Sequence, residues 1–298
     1  MSITRLPQPN RRRRNRSNLP VEQASRWRAP ASLPQTPTDT EPLVPPSLAL
    51  LALEARALLE LTAWGLTWPW FERAGRGDGH PVLVLPGFLA NDLSTWPLRQ
   101  FLQRLGYAAY PWGQGANRGP VSGLEQRLLD RIARLADEHG HKVSLVGWSL
   151  GGLMARVLAW RSPDTVRSVI TLGSPLSGQP EGTNVGRIFE WVSGLDTRDP
   201  RVREMLGGHP PVPMTSILSK SDGVVHWRAS LAPEAERTET IEVSASHFGM
   251  GVNPIVLWAI ADRLAQRPER WQPFERSGWR KLLYRDPRRV AMEDLFGG

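Results

Sequence analysis

The stretch KVSLVGWSLGGLMARVLAW, Lys142 to Trp160, decides how the rest of the chain is read. An apolar β-type run, Val143, Leu145 and Val146, meets Gly147-Trp148-Ser149-Leu150-Gly151-Gly152, and helical spacing starts at once with Leu153, Met154, Val157 and Leu158. This is strand, tight turn and helix, with a serine at the turn. The G-x-S-x-G string alone is weak, but the strand before it and the helix after it are the context it needs. A serine in such a turn is forced into a strained backbone that lifts its Oγ clear of the sheet edge, and Gly147 and Gly151 lack the side chains that would clash. The first N–H groups of the helix, that of Leu150 above all, have no intrahelical partner and can bind a developing oxyanion. On this stretch alone a second reading stands beside the first: a serine in a Gly-rich turn that only caps the helix.

Outward from there, apolar runs alternate with helical patterns. Upstream, Val82 to Leu85 is continuously apolar, as expected of a strand buried on both faces of a parallel sheet, and it ends in Pro86-Gly87-Phe88-Leu89 at the end where such sheets bind ligands. Helices are expected over 93–105 and 123–139, with a short strand over 107–112. Downstream, strands are expected over 166–172, 214–218 and 240–243, and a helix over 255–266. Strands and helices alternating at this spacing predict an α/β domain: a mostly parallel sheet of about six strands with helices on both faces.

Asp222 lies just past the 214–218 strand and His247 just past the 240–243 strand, so Ser149, Asp222 and His247 fall on loops at one sheet edge, in that order. Serine nucleophiles need a base to take the proton and an acid to hold that imidazole, so three residue types must converge. His226 also follows Asp222, but only four residues later; a base that must reach across is better placed on the next loop, which favours His247. His80, His139, His141 and His209 show no ligand spacing and read as surface or turn residues. No metal site and no cofactor is expected.

The motifs LVLPGF, LVGWSLGG, ITLGSP, SKSDGVV and SASHFGM, spread over residues 81 to about 266, resemble the α/β-hydrolase superfamily, and within it bacterial lipases and esterases with a small lid. The resemblance implies that Ser149 is the nucleophile, Asp222 the triad acid and His247 the base, with the N–H groups of Phe88 and Leu150 as the oxyanion hole. It implies cleavage of a small-molecule or lipid carboxylic ester through an acyl-enzyme. An acyltransferase would use the same residues, and a hydrolase-like scaffold retained for binding is an alternative of another class. There are two departures. Pro86 stands where relatives often have histidine, and a helical segment over 47–71 replaces the antiparallel strands that often precede the first parallel strand. Residues 176–212 are the expected lid. Its apolar stripe, Val185, Ile188, Phe189 and Val192, either docks permanently on the core or lines an acyl pocket with Leu89, Trp148 and Trp191.

The 298 residues contain no cysteine, which removes disulfides and thiolate chemistry. The net charge of +8 resides in the ends: residues 1–28 carry +7 and residues 267–298 carry +3, leaving −2 for the remainder. A nucleic-acid partner for the core therefore has no support. Residues 1–46 read as a disordered basic, Pro-rich tail, 47–266 as the catalytic domain and 267–298 as a basic C-terminal tail. The Arg11–Arg16 run is not followed by an apolar stretch, so no secretory signal is read; an Arg-rich transit peptide is a minor alternative. The expected location is cytoplasmic, with weak peripheral contact to anionic membrane surfaces through the basic termini. In the 47–71 segment, Leu48, Leu51, Ala52, Ala55, Leu58 and Leu59 share a helical stripe that should dock on the domain, although its aromatic end also suits a lipid interface.

Overall fold

An apolar run with no polar alternation can be buried only where both sides of a sheet are covered, and β1 (Pro81–Leu85) is buried at every position. The computed structural model describes residues 43–67, 71, 74–119, 121–177, 183 and 210–287. Five more strands join β1: β2 (Ala108–Pro111), β3 (Val143–Trp148), β4 (Val166–Leu172), β5 (Met214–Leu218) and β6 (Thr238–Glu242). The order is β2-β1-β3-β4-β5-β6 and every neighbouring pair is parallel, the six-stranded sheet the sequence predicts. Strand order reverses between β1 and β3. This is the switch point at which parallel sheets open a crevice for ligands.

Seven α-helical stretches are described: α1 (Leu48–Ala52), α2 (Ala57–Leu66), α3 (Trp96–Arg104), α4 (Leu124–His139), α5 (Leu150–Arg161), α6 (Pro254–Ala265) and α7 (Arg280–Leu283). The strand alternation divides the core between them. Val82, Val84, Val146, Ile170 and Ile217 point to the α3 and α6 side, whereas Leu83, Leu85, Leu145, Val169 and Met214 point to the α4 and α5 side. At roughly 1.5–3 kcal/mol for each large apolar side chain buried, these two layers are the dominant favourable term in folding.

Three expectations need correction. Residues 267–287 are not a tail: Phe274 and Tyr284 are buried in the α6 layer with ring centroids 4.8 Å apart, and the Tyr284 hydroxyl donates to Ile255 O at 3.0 Å. Arg263, Arg276 and Arg280 lie over the Phe274 ring, and Arg285 pairs antiparallel with Glu242 beside β6. Charge alone made this region look solvated, and its aromatic residues override that. Residues 288–298 and 1–42 lie outside the described residues. His80, read as a surface residue, is buried between Asp78 and Ser144 Oγ (2.9 Å), and burial pushes its pKa down despite the neighbouring carboxylate.

The third correction concerns α1 and α2, joined by a 3₁₀ turn (Leu53–Arg56). The segment docks on the domain, but with the opposite face. Leu48 is 80% exposed and Leu58 and Leu59 71%, while Glu54 is 5% exposed. Among the described residues no helix is long and apolar enough to cross a membrane.

If residues 267–287 belong to the core, Phe274→Ala should lower stability by about 3–5 kcal/mol, measured by urea denaturation. A solvated tail would leave the transition within about 0.5 kcal/mol of its original value.

Candidate active site

At the end of β3 the chain passes into α5 through one residue, Ser149, held at φ 53° and ψ −118°. Few non-glycine residues adopt such a backbone, and the surroundings enforce it. The Ser149 N–H donates to Leu172 O of β4 at 2.8 Å. A Cβ on Gly147 would collide with the backbone of Gly151 and Gly152, and one on Gly151 with the carbonyls of Leu85 and Pro86. The serine side chain makes no capping hydrogen bond to α5, so the helix-cap reading fails.

The loops that follow β5 and β6 meet at the same sheet edge. His247 Nδ1 donates to Asp222 Oδ2 at 2.7 Å, and both side chains are buried. Asp222 Oδ1 accepts from the N–H groups of Val224 and Val225, each at 2.8 Å, which holds the carboxylate in place. Burial pushes the His247 pKa down, but the charge and hydrogen bond of Asp222, with the charge of Glu54 added, outweigh it and leave the pKa raised. His226 takes no part in this pair: it opens the short 3₁₀ turn Trp227–Ser230 and accepts from Arg228 N at 3.3 Å.

The loop expected to carry the oxyanion hole follows β1. Gly87 packs closely enough that a Cβ there would sit 3.4 Å from Ser149 Cβ. With proline at 86 the loop is braced from elsewhere. The buried side chain of Asn117 donates to Pro86 O at 2.8 Å, and its backbone takes Leu89 N at 2.7 Å and gives N–H to Ala90 O at 2.8 Å. Leu89 itself has φ 60° and is 56% exposed. Trp148 lies under the base loop, donating from its indole to His247 O at 3.0 Å, a supporting place the sequence did not suggest. Trp191 and nearly all of the expected lid, 178–182 and 184–209, fall outside the described residues.

Sequence reasoning missed two further sets of residues. Asn117 sits in a Gly-rich loop with no pattern to mark it. The other set comes from the α1–α2 segment: Glu54 Oε1 accepts from Gly223 N (2.7 Å) and His247 N (3.0 Å), and Oε2 from Phe248 N (3.0 Å). Glu60 accepts from Ser246 N at 2.8 Å and Ser246 Oγ at 3.0 Å. Arg56 donates to Ser221 O and Ala245 O, both at 2.7 Å. The signal was present as three charges interrupting a leucine stripe. Among the described residues no three of His, Asp and Glu converge as metal ligands.

A strained serine at the switch point, with an Asp–His pair on later loops, is the site of one large class of folds, and the alpha/beta hydrolase family profile matches residues 82–293. The chain belongs to this family. It is 29% identical to the mouse serine hydrolase BPHL over 145 residues, 46% of this chain and 48% of that protein. It is 32% identical over 100 residues to a pimeloyl-(acyl-carrier protein) methyl ester esterase of Shewanella woodyi, 33% of this chain and 37% of the other. The chain thus spans about half, or less, of the length of these relatives. The crystal structure of Aspergillus fumigatus lipase B superposes with a TM-score of 0.50 at 17% identity, covering 66% of this chain and 57% of that one, which attests the shared fold.

Asn117→Ala should leave Pro86 O without its buried donor, costing about 1–3 kcal/mol of stability in thermal or urea unfolding. Because the loop beside Ser149 loosens, the reactivity of the serine toward an active-site probe should fall along with it.

Proposed function

We propose that this protein is a serine hydrolase that cleaves carboxylic esters through an acyl-enzyme. The observation that carries the reading is Ser149 at φ 53°, uncapped, at the carboxyl end of β3, beside a buried His247–Asp222 pair. The relatives that support the ester class are a serine hydrolase and a methyl ester esterase.

In the proposed reaction His247 Nε2 removes the proton from Ser149 Oγ as Oγ attacks the ester carbonyl carbon, while Nδ1–H stays on Asp222. The carbonyl π pair moves onto oxygen, and the Leu150 N–H at the start of α5 and the Phe88 N–H hold that oxyanion. Collapse breaks the bond to the alcohol oxygen, which takes the proton from Nε2 and leaves. Water then repeats the sequence on the acyl-serine, releasing the acid and restoring Ser149. Hydrogen bonds between nucleophile and base commonly tighten only when substrate is bound, so the serine hydroxyl need not be engaged beforehand.

A fluorophosphonate probe is expected to label the protein covalently. Ser149→Ala should abolish labelling, and His247→Ala should slow it by roughly 10³-fold or more. Persistent labelling in Ser149→Ala would place the nucleophile elsewhere. An ester panel of increasing acyl length would then define the substrate.

The pH dependence has a definite sign. The base must be neutral, and its pKa is raised, so the acid limb of kcat/KM should lie above the ordinary imidazole value of about 6.5. In Asp222→Asn the principal raising charge is lost, and the limb should move to lower pH as the rate falls by roughly 10⁴-fold. A pH-rate profile of both proteins checks this.

A further inference from the structure

A carboxylate that joins the Asp222 loop to the His247 loop comes from outside the sheet. Glu54 stands on the 3₁₀ turn between α1 and α2, about 170 residues or more in sequence from the groups it touches. Both oxygens are used: Gly223 N, next to Asp222, and His247 N share Oε1, and Phe248 N takes Oε2. Three converging N–H groups require an acceptor with no proton of its own, which a carboxylate supplies. Backbone packing holds it there, since a Cβ on Gly223 would collide with Leu50 and Leu51 of α1.

We propose that Glu54 is a positioning residue of the site, whose carboxylate ties the Asp222 loop to the His247 loop and fixes the imidazole for proton transfer. This rests on the roles given above to Ser149, Asp222 and His247. Besides geometry, Glu54 contributes charge. His247 faces Asp222 from the β5 loop and Glu54 from the α1–α2 segment. The other two charges on that segment, Arg56 and Glu60, pair with each other at 3.6 Å. From the remaining sides the base loop meets Trp148 of β3, Gly173 after β4 and Met250, all uncharged. Glu54 therefore adds to Asp222 in favouring the imidazolium that forms during each proton transfer. A brace that acted on folding alone would have no such effect.

The test substitutes Glu54→Gln, which keeps the volume but removes the charge and replaces one acceptor oxygen with a donor. Two quantities are compared with the unsubstituted protein. One is the NMR titration midpoint of the His247 imidazole, assigned by its absence in His247→Asn. The other is the pH profile of fluorophosphonate labelling at Ser149. Both midpoints are expected to move to lower pH, and the plateau labelling rate to fall roughly tenfold or more as the imidazole loses its setting. Midpoints that stay in place, whatever the plateau does, overturn the proposal. If the unsubstituted protein is not labelled at all, the hydrolase reading fails, and the NMR midpoint still decides the place of Glu54. If Glu54→Gln does not fold, Glu54→Asp takes its place: charge is kept but reach is shortened, so the midpoint should hold while the labelling rate drops. A labelling rate equal to that of the unsubstituted protein would overturn the positioning role.

Discussion

The passage from β3 to α5 is made in one residue, and the rest of the site is arranged around that constraint. A serine at φ 53° costs on the order of 1–3 kcal/mol and persists only where its surroundings over-determine it. Here they do. The N–H of Ser149 is bonded to β4, and the glycines around it bring α5 against the carbonyls at the end of β1. The same closeness that leaves no room for a Cβ at Gly151 sets Gly87 of the β1 loop beside the serine, so the strained turn and the placing of that loop are consequences of one packing arrangement. Asn117 completes it by taking up the polar groups of that loop, which has no histidine at position 86 to help hold it.

With Ser149 at the switch point, Asp222 and His247, the proposed acid and base, lie on the loops after β5 and β6, beyond the end of β4. Gly173 is what leaves that path open. It follows β4 with φ 53°, and a Cβ there would lie 2.9 Å from Asp222 Oδ2 and 3.0 Å from His247 Nδ1. Loops that cross a neighbouring strand end have no ladder to hold them, so their positions depend on side chains from elsewhere. Trp148 takes the base loop from below, and Glu54, Glu60 and Arg56 take both loops from the segment that precedes the sheet.

This division explains what the sequence made legible. Strand, turn and helix at 142–160, the apolar runs, and the order Ser149, Asp222, His247 are local patterns with fixed geometric meaning, and the fold follows from them. The Asp222–His247 bond was legible too, since both residues had to end neighbouring strands. Asn117, Glu54 and the packing of Phe274 and Tyr284 were not. Each depends on a partner far away in the chain, and neither periodicity nor composition carries distance in space. For 267–287 the arginine count pointed the wrong way, because guanidinium groups stack on an aromatic ring as readily as they face water.

The α1–α2 segment is the most instructive of these. Helical period states which residues share a face, and here it grouped the leucines correctly; it does not state which face meets the domain. The usual inference takes the apolar face inward because burying a carboxylate costs several kcal/mol unless it is hydrogen-bonded. Glu54 meets that condition with three backbone donors on two loops. The polar face then becomes the docking face because its carboxylates accept these backbone N–H groups. Interactions of this type add little to net stability after desolvation, but they admit only one arrangement of the groups they join. In the proposed site, where the chemistry depends on the relative placement of Asp222 and His247, such a constraint serves more than further apolar burial would.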